Sequence, residues 1–223
     1  MSHILNIETA TTNCSVSLSK KGETVVLKED YSSSYSHAER LHVYIDEVLR
    51  EANITTDKLD AIAISKGPGS YTGLRIGVSS AKGLCYAANK PLISISTLEA
   101  LAHQVQEEGG TIIPMLDARR MEVYSAVFDA NHSQIRETQA QILHANIFDE
   151  YLETSKVYFI GNGVEKAKEI INHSNAIFIE DKLPSANEMS SLSYTKYKKS
   201  DIEDVAYFEP YYLKDFIAIK PKS

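Results

Sequence analysis

The first half of the chain alternates short apolar segments with longer amphipathic ones. The short segments have the alternating or continuous apolar pattern of β-strands, and they are residues 3–8, 15–19, 24–31, 60–65 and 91–95. The amphipathic segments repeat apolar residues at helical spacing, and they are residues 36–52, 73–89 and 96–107. Two of these helices are predicted to begin with a capping box, Ser36 with Glu39 and Ser96 with Glu99.

The second half repeats this arrangement after a break at Glu108-Gly109-Gly110. Its predicted strands are residues 111–116, 122–128, 135–141, 157–160 and 176–179, and its predicted helices are residues 146–153, 164–171 and 185–197. Ser185 and Glu188 form a third capping box. Residues 210–213 are predicted to be a final extended segment.

The two halves share an internal pattern. Residues 3–31 and 111–141 both read as strand, acidic residue, polar turn, strand, turn, strand. Mixed helices and strands follow each copy, which predicts a two-lobed α/β protein with a cleft between the lobes. The predicted lobes are residues 1–108 and 109–223. The last segment, about 208–223, either completes the second lobe or returns to the first.

A glycine-rich segment, residues 66–77, joins a predicted strand to a predicted helix. Glycine lets the backbone approach another group closely, so a phosphate loop is the first hypothesis. A Walker A loop has lysine after its last glycine, whereas leucine follows Gly73, and the spacing of Gly67 and Gly69 does not fit a dinucleotide fingerprint. Gly73 and Gly77 are one helical turn apart, which predicts a groove that a second helix can enter.

Acidic residues end the first strand of each repeat. Glu8 precedes a polar turn without glycine, and Asp117 precedes Ala118-Arg119-Arg120, so neither turn suits a bound phosphate. The weak vestige of a nucleotide site that the pattern allows consists of Glu8, Thr9, Asp117 and Arg119. The local alternative is a strand-end carboxylate that caps its own turn.

Metal and disulfide chemistry find little support in the sequence. His37 and His42 are five residues apart, about 140° around a helix, whereas paired metal ligands on one helix face are three or four apart. No metal site is predicted. Cys14 and Cys85 each fall in an apolar pattern, which predicts buried, reduced thiols.

Composition argues for a soluble protein without general affinity for polyanions. The formal net charge is −7, and 24% of the 223 residues are charged, which opposes nonspecific binding of nucleic acid or anionic membrane. The local exceptions are Lys196, Lys198, Lys199, Lys214, Lys220 and Lys222. The N-terminus does not resemble a signal peptide, and no apolar run approaches the ~20 residues that cross a bilayer. A cytoplasmic protein with no membrane partner is expected.

Five segments together resemble the bacterial TsaB family: residues 7–11, 67–77, 96–98, 117–124 and 210–213. The resemblance runs from the first strand almost to the C-terminus, and the segment 67–77 is its most specific part. The sequence departs from the family at Glu8, where aspartate is usual, and at Arg120, an additional residue. The resemblance implies a two-lobed actin/Hsp70/sugar-kinase-type (ASKHA) fold, in which a duplicated mixed sheet carries flanking helices.

The resemblance also implies a function, as a non-catalytic scaffold in making threonylcarbamoyladenosine on tRNA. In that family a paralogue, TsaD, is the catalytic subunit, and an ATPase, TsaE, joins the pair. ATP and metal are therefore expected on these partners and no tightly bound cofactor on this chain. tRNA is expected only within the complex, and a homodimer is the alternative when the partner is absent. The metal ligands of TsaD resemble His-x-x-x-His, and the matching positions here are His37 and Leu41, so the second ligand is missing.

The resemblance places the TsaD-binding surface on the two long helices of the first half. The expected interface residues are His37, Arg40, Leu41, Tyr44, Ile45, Val48, Gly73, Leu74, Gly77, Val78, Ala81 and Cys85. The motif loop is expected to position the second of these helices, and its residues are Gly67, Pro68, Gly69, Ser70, Tyr71, Thr72, Gly73 and Arg75.

Two other functions stay open. An independent ATPase or phosphotransferase follows from the architecture alone. A metallopeptidase follows from the glycoprotease-like (M22) label given to this superfamily, and the missing metal ligand argues against it.

Overall fold

Two five-stranded mixed sheets form the centre of the protein. The computed structural model describes residues 2–31 and 37–214. The strands of the first sheet are β1 (His3–Glu8), β2 (Cys14–Lys20), β3 (Glu23–Asp30), β4 (Ala61–Ser65) and β5 (Leu92–Ile95). They lie in the order β3-β2-β1-β4-β5. β2 is antiparallel to its neighbours β1 and β3, and β1, β4 and β5 are parallel.

The second sheet repeats the first. Its strands are β6 (Thr111–Asp117), β7 (Glu122–Asp129), β8 (Gln134–Ile142), β9 (Val157–Ile160) and β10 (Ala176–Ile179). The order β8-β7-β6-β9-β10 has the same antiparallel and parallel pairings as the first sheet. The predicted α/β class and the duplicated mixed sheet are therefore confirmed. Glu8 and Asp117 end β1 and β6, the equivalent central strands.

The helices of the described residues begin close to where the sequence places them. They are α1 (His37–Glu51), α2 (Tyr71–Ala88), α3 (Thr97–Ala102), α4 (Asp149–Leu152), α5 (Val164–Ile170) and α6 (Ala186–Lys198), with a 3₁₀ turn at Thr56–Lys58. The Ser70 hydroxyl caps α2 by accepting from the Gly73 amide at 3.3 Å. Asn89 ends that helix in the left-handed conformation, with φ of 52°.

Two helices and one capping prediction are corrected. α3 ends at Ala102, not Glu107, because the amide of Val105 turns back to the carbonyl of Ala102 and its side chain enters the core against the second sheet. α4 is also shorter than predicted. The Ser96 side chain makes no capping bond, and only the Glu99 half of that box forms. Ser36 of the first box lies outside the described residues.

The two halves of the chain exchange helices between the sheets. α1 and α2 cover one face of the first sheet, with Leu41 and Val78 in the shared core. α3, from the first half, packs Leu98 on the second sheet. α6, from the second half, covers the other face of the first sheet, where Met189 is buried. The division at 108/109 stays a prediction, because each half contributes a helix to the sheet of the other.

The contact of α6 with the first sheet is polar as well as apolar. The Ser193 hydroxyl donates to Asn6 Oδ1 at 2.6 Å, and Asn6 Nδ2 donates to the Ser17 hydroxyl at 3.1 Å. The Ser17 hydroxyl in turn donates to the carbonyl of Ala186 at 2.7 Å. Buried polar groups need partners, so this network fixes the position of α6 on the sheet.

Both cysteines are buried and unpaired, as predicted. Cys14 lies in β2 and Cys85 in α2. Burial raises the pKa of each thiol to about 12, so neither is poised as a nucleophile.

Candidate functional site

The glycine loop packs against the turn that follows β1. A Cβ atom at Gly69 would overlap Ala10, and one at Gly73 or Gly77 would overlap Thr9. The Ser70 amide donates to the carbonyl of Ala10 at 2.7 Å. The loop is therefore glycine-rich because the chain's own backbone occupies the space beside it.

This packing corrects the predicted helix groove. The Thr9 hydroxyl donates to the carbonyl of Gly73 at 2.9 Å, and Thr9 also fills the position beside Gly77. The prediction that a partner helix enters between Gly73 and Gly77 is wrong, since the first turn of the same chain already occupies that groove.

Most of the predicted interface residues lie in the core. The buried ones are His37, Leu41, Ile45, Val48, Gly73, Leu74, Gly77, Val78, Ala81 and Cys85. Helical spacing identified the apolar face of each helix correctly, but that face packs against the chain's own sheet. Direct contact of these side chains with a partner is therefore a wrong prediction. Arg40 and Tyr44 remain at least partly exposed.

The outward face of α1 and α2 carries two exposed apolar side chains and a row of small residues. Val43 is 52% exposed and Tyr86 is 86% exposed. Three small residues, Ser79, Gly83 and Ala87, recur every fourth position on α2, and all three are exposed. A Cβ atom at Gly83 would meet nothing within 4 Å, so the fold of this chain does not require glycine there. Glycine within a helix costs about 1 kcal/mol relative to alanine.

Glu8 is sealed inside the protein. Its side chain is fully buried, and Oε1 accepts from the Ala10 amide at 2.6 Å, so it caps its own turn. Its Oε2 is buried without a hydrogen-bond partner among the described residues. Burial raises the pKa of Glu8 to about 7, against the opposing effect of the Ala10 amide. Glu8 and the buried Thr9 are thus closed to a nucleotide, which corrects that part of the predicted vestige.

Asp117 lies in a different environment at the equivalent strand end. It is exposed, and its Oδ1 forms an ion pair with Lys166 Nζ at 2.6 Å and accepts from the Arg119 amide at 2.5 Å. The turn after it places Arg119 and Arg120 in the left-handed region, with φ of 69° and 53°. Both arginines are exposed. Asp117 is therefore accessible, but its charge is already compensated.

Residues 209–214, here called the C-terminal strap, cross from the glycine loop to the second sheet. The Tyr211 amide donates to the carbonyl of Lys66 at 2.7 Å, and a Cβ at Gly67 would lie 2.9 Å from the carbonyl oxygen of Tyr211. At its far end Lys214 forms an ion pair with Glu122 of β7. The backbone of the strap therefore packs directly against the glycine loop. The extended segment 210–213 was predicted, with a return to the first lobe as one alternative, but its contact with the glycine loop was not.

The two positions that match the metal ligands of TsaD have structural roles in this chain. His37 is buried, and its Nε2 donates to the carbonyl of Thr11 at 2.6 Å. Leu41, which matches the second ligand position, is a core residue. In residues 2–31 and 37–214, no group of three or more His, Cys, Asp or Glu side chains is arranged to hold a metal ion. The helices in this part of the chain are also too short or too polar to span a membrane.

Known proteins resemble the chain over nearly its whole length. A family model described as "TsaD: tRNA N6-adenosine threonylcarbamoyltransferase" matches residues 31–220. The tRNA threonylcarbamoyladenosine biosynthesis protein TsaB of Escherichia coli is 29% identical over 97% of this chain and 96% of its own length. That of Haemophilus influenzae is 28% identical over 97% and 95%.

Solved structures also resemble the chain over most of its length. The structure of YeaZ from Pseudomonas aeruginosa superposes with a TM-score of 0.83 at 25% identity, over 96% of this chain and all of that one. The ethanolamine utilization protein EutJ from Carboxydothermus hydrogenoformans, at 10% identity and a TM-score of 0.51, shares the fold alone over 85% of this chain and 89% of its own. The predicted actin/Hsp70/sugar-kinase-type fold is confirmed. Because the family model spans most of the chain, the chain belongs to the TsaD family, and its predicted resemblance to TsaB proteins is confirmed.

Proposed function

We propose that the chain is a non-catalytic scaffold and activator in the formation of threonylcarbamoyladenosine on tRNA. The observation that carries this proposal is the filled glycine loop, whose open sides are occupied by Thr9, Ala10 and Tyr211. The names of its TsaB relatives supply the pathway. In this proposal a TsaD-type subunit carries out the chemistry and holds metal and nucleotide, and a TsaE-type ATPase joins the pair. In this proposal tRNA is modified only by the assembled complex, in the cytoplasm.

The outward face of α1 and α2 is the proposed TsaD-docking face, defined by Val43, Ser79, Gly83, Tyr86 and Ala87. Small side chains at every fourth position allow a second helix to come close. Val43 and Tyr86 are exposed anchors of the kind that dominate protein interfaces. This face replaces the inward-facing residues predicted from the sequence. Without the partner, the same apolar surface favours a homodimer.

Substitutions at Gly83 test the docking face. Gly83→Arg places a long side chain where a partner helix would lie, and it is expected to abolish co-purification with TsaD. The fold is expected to stay intact, because a side chain added at Gly83 begins in open space. Asn172→Arg, at an exposed position in the second half of the chain, is the matched control and should co-purify normally. Undiminished pairing of Gly83→Arg would refute this placement.

An independent ATPase is the second candidate, favoured only by the exposure of Asp117. Titration calorimetry of the isolated chain with Mg-ATP separates the two functions. Binding together with turnover that Asp117→Asn removes would favour the ATPase. The metallopeptidase hypothesis stays a prediction, and a stoichiometric, tightly bound metal ion in the purified protein would support it.

A further inference from the structure

An aromatic and cationic surface runs along the C-terminal strap, and its defining residues are Tyr71, Arg75, Arg119, Arg120 and Tyr212. The rings of Tyr71 and Tyr212 lie 5.1 Å apart and are tilted by 37°. The Arg75 guanidinium lies 5.3 Å from the centre of the Tyr71 ring and donates to its hydroxyl at 2.9 Å. Tyr212 keeps 40% of its surface exposed. We call this the tyrosine–arginine surface.

The other exposed arginines of the described residues form ion pairs, whereas the arginines of this surface do not. Arg40 forms an ion pair with Asp30, and Arg50 forms one with Asp46. Within residues 2–31 and 37–214, the exposed Arg75, Arg119 and Arg120 form no ion pair. Arg75 lines a groove with Tyr212 of the strap, and the carbonyl of Arg119 accepts from the amide of Glu122, whose side chain pairs with Lys214 at the far end of the strap. In an acidic protein, exposed guanidinium groups without ion pairs at the two ends of one strap point to an anionic partner.

The neighbouring carboxylates do not cancel this charge. Asp117 is paired with Lys166, and Glu122 is paired with Lys214 of the strap. Glu209 shares the groove that Tyr71, Arg75 and Tyr212 line. The surface therefore keeps more unpaired arginines than unpaired carboxylates.

We propose that the tyrosine–arginine surface binds single-stranded RNA. Arg119 and Arg120 would contact phosphates, and Tyr212, whose ring lies against that of Tyr71, would stack on an unpaired base. Proteins that bind single strands combine cations along the backbone with aromatic rings for the bases. An acidic protein segment would use the arginines but would have no need of the exposed ring. The inference rests on the proposed function, because it gives the subunit a contact with the unpaired loop of the tRNA substrate.

The test measures fluorescence anisotropy of a labelled single-stranded oligoadenylate RNA, using the full chain alone over a range of salt concentrations. Tyr212→Ala is expected to weaken binding about 5-fold or more through lost stacking, and Tyr212→Phe is expected to restore it. The double variant Arg119→Ala/Arg120→Ala is expected to lower the slope of log K against log salt by about 0.7 for each lost phosphate contact. Arg50→Ala is the matched control and should behave as wild type.

Each outcome has a defined meaning. Weakened binding in the tyrosine and arginine variants, with wild-type binding in the control, supports the proposal. No RNA binding by the wild type, or equal binding by all variants, overturns it. Competition by polyglutamate that depends on the arginines but not on Tyr212 also overturns it, in favour of an acidic protein partner. Co-purification of the same variants with TsaD is measured separately, so the proposed scaffold function stands or falls on its own.

Discussion

Glu8 and Asp117 occupy equivalent strand ends but have opposite environments. Glu8 is buried with one oxygen unsatisfied, whereas Asp117 is exposed and bound to Lys166. The repeat pattern predicted both positions from the sequence. The pattern did not predict that Glu8 is buried and Asp117 exposed. Burial of Glu8 depends on how the glycine loop and the turn after β1 pack over it.

Burial of Glu8 predicts a pH-dependent stability. Its pKa rises from 4.5 to about 7 on folding, so the folded state holds the proton more tightly. This contribution is fully present below pH 4.5 and is lost as the pH rises through 7. Urea unfolding of wild type and the isosteric, always neutral Glu8→Gln should show wild type losing about 3 kcal/mol relative to the variant over this range. Parallel pH profiles for the two proteins would mean that Glu8 titrates normally.

At the scale of elements, α2 has an inner and an outer glycine with opposite surroundings. Gly77 faces Thr9 and Ile64, and Gly83 faces open space. Periodicity identified the helix and its apolar face, but it cannot show which of its glycines lies against another part of the chain. The difference arises from the turn after β1, which is far away in sequence and lies directly against Gly77.

The two glycines predict opposite effects of the same substitution. Gly77→Ala should destabilise the protein by about 1–3 kcal/mol, because the added methyl group overlaps Thr9 and must displace it. Gly83→Ala should stabilise it by up to about 1 kcal/mol, through helix propensity alone. Chemical denaturation at low protein concentration measures both, and each variant serves as the control for the other. A loss of stability in Gly83→Ala would mean that Gly83 has a structural role in the monomer.

The whole molecule was predictable in outline and not in its long-range contacts. Alternating and helical patterns gave the repeated order of strands and therefore the two sheets. The exchange of α3 and α6 between sheets was not predictable, because the Ser193 bond to Asn6 joins residues far apart in sequence. The docking of the strap was equally hidden, since a backbone bond from Tyr211 to Lys66 leaves no mark in the side-chain pattern.

For the molecule as a whole, we propose that the chain supports catalysis by another subunit without performing it. Of the two acidic residues predicted at equivalent strand ends, Asp117 is the exposed one that a nucleotide could reach, because Glu8 is buried. The proposed contribution of the chain is instead the outward face of α2 around Gly83. Variants at these two positions therefore separate chemistry from assembly.

The most direct measurement is the amount of threonylcarbamoyladenosine formed on tRNA by purified chain, TsaD and TsaE, compared among wild type, Asp117→Asn and Gly83→Arg. The scaffold account predicts no product without the chain, a wild-type rate with Asp117→Asn, and loss of product with Gly83→Arg. Loss of product with Asp117→Asn while pairing with TsaD persists would contradict it, as would a wild-type rate with Gly83→Arg.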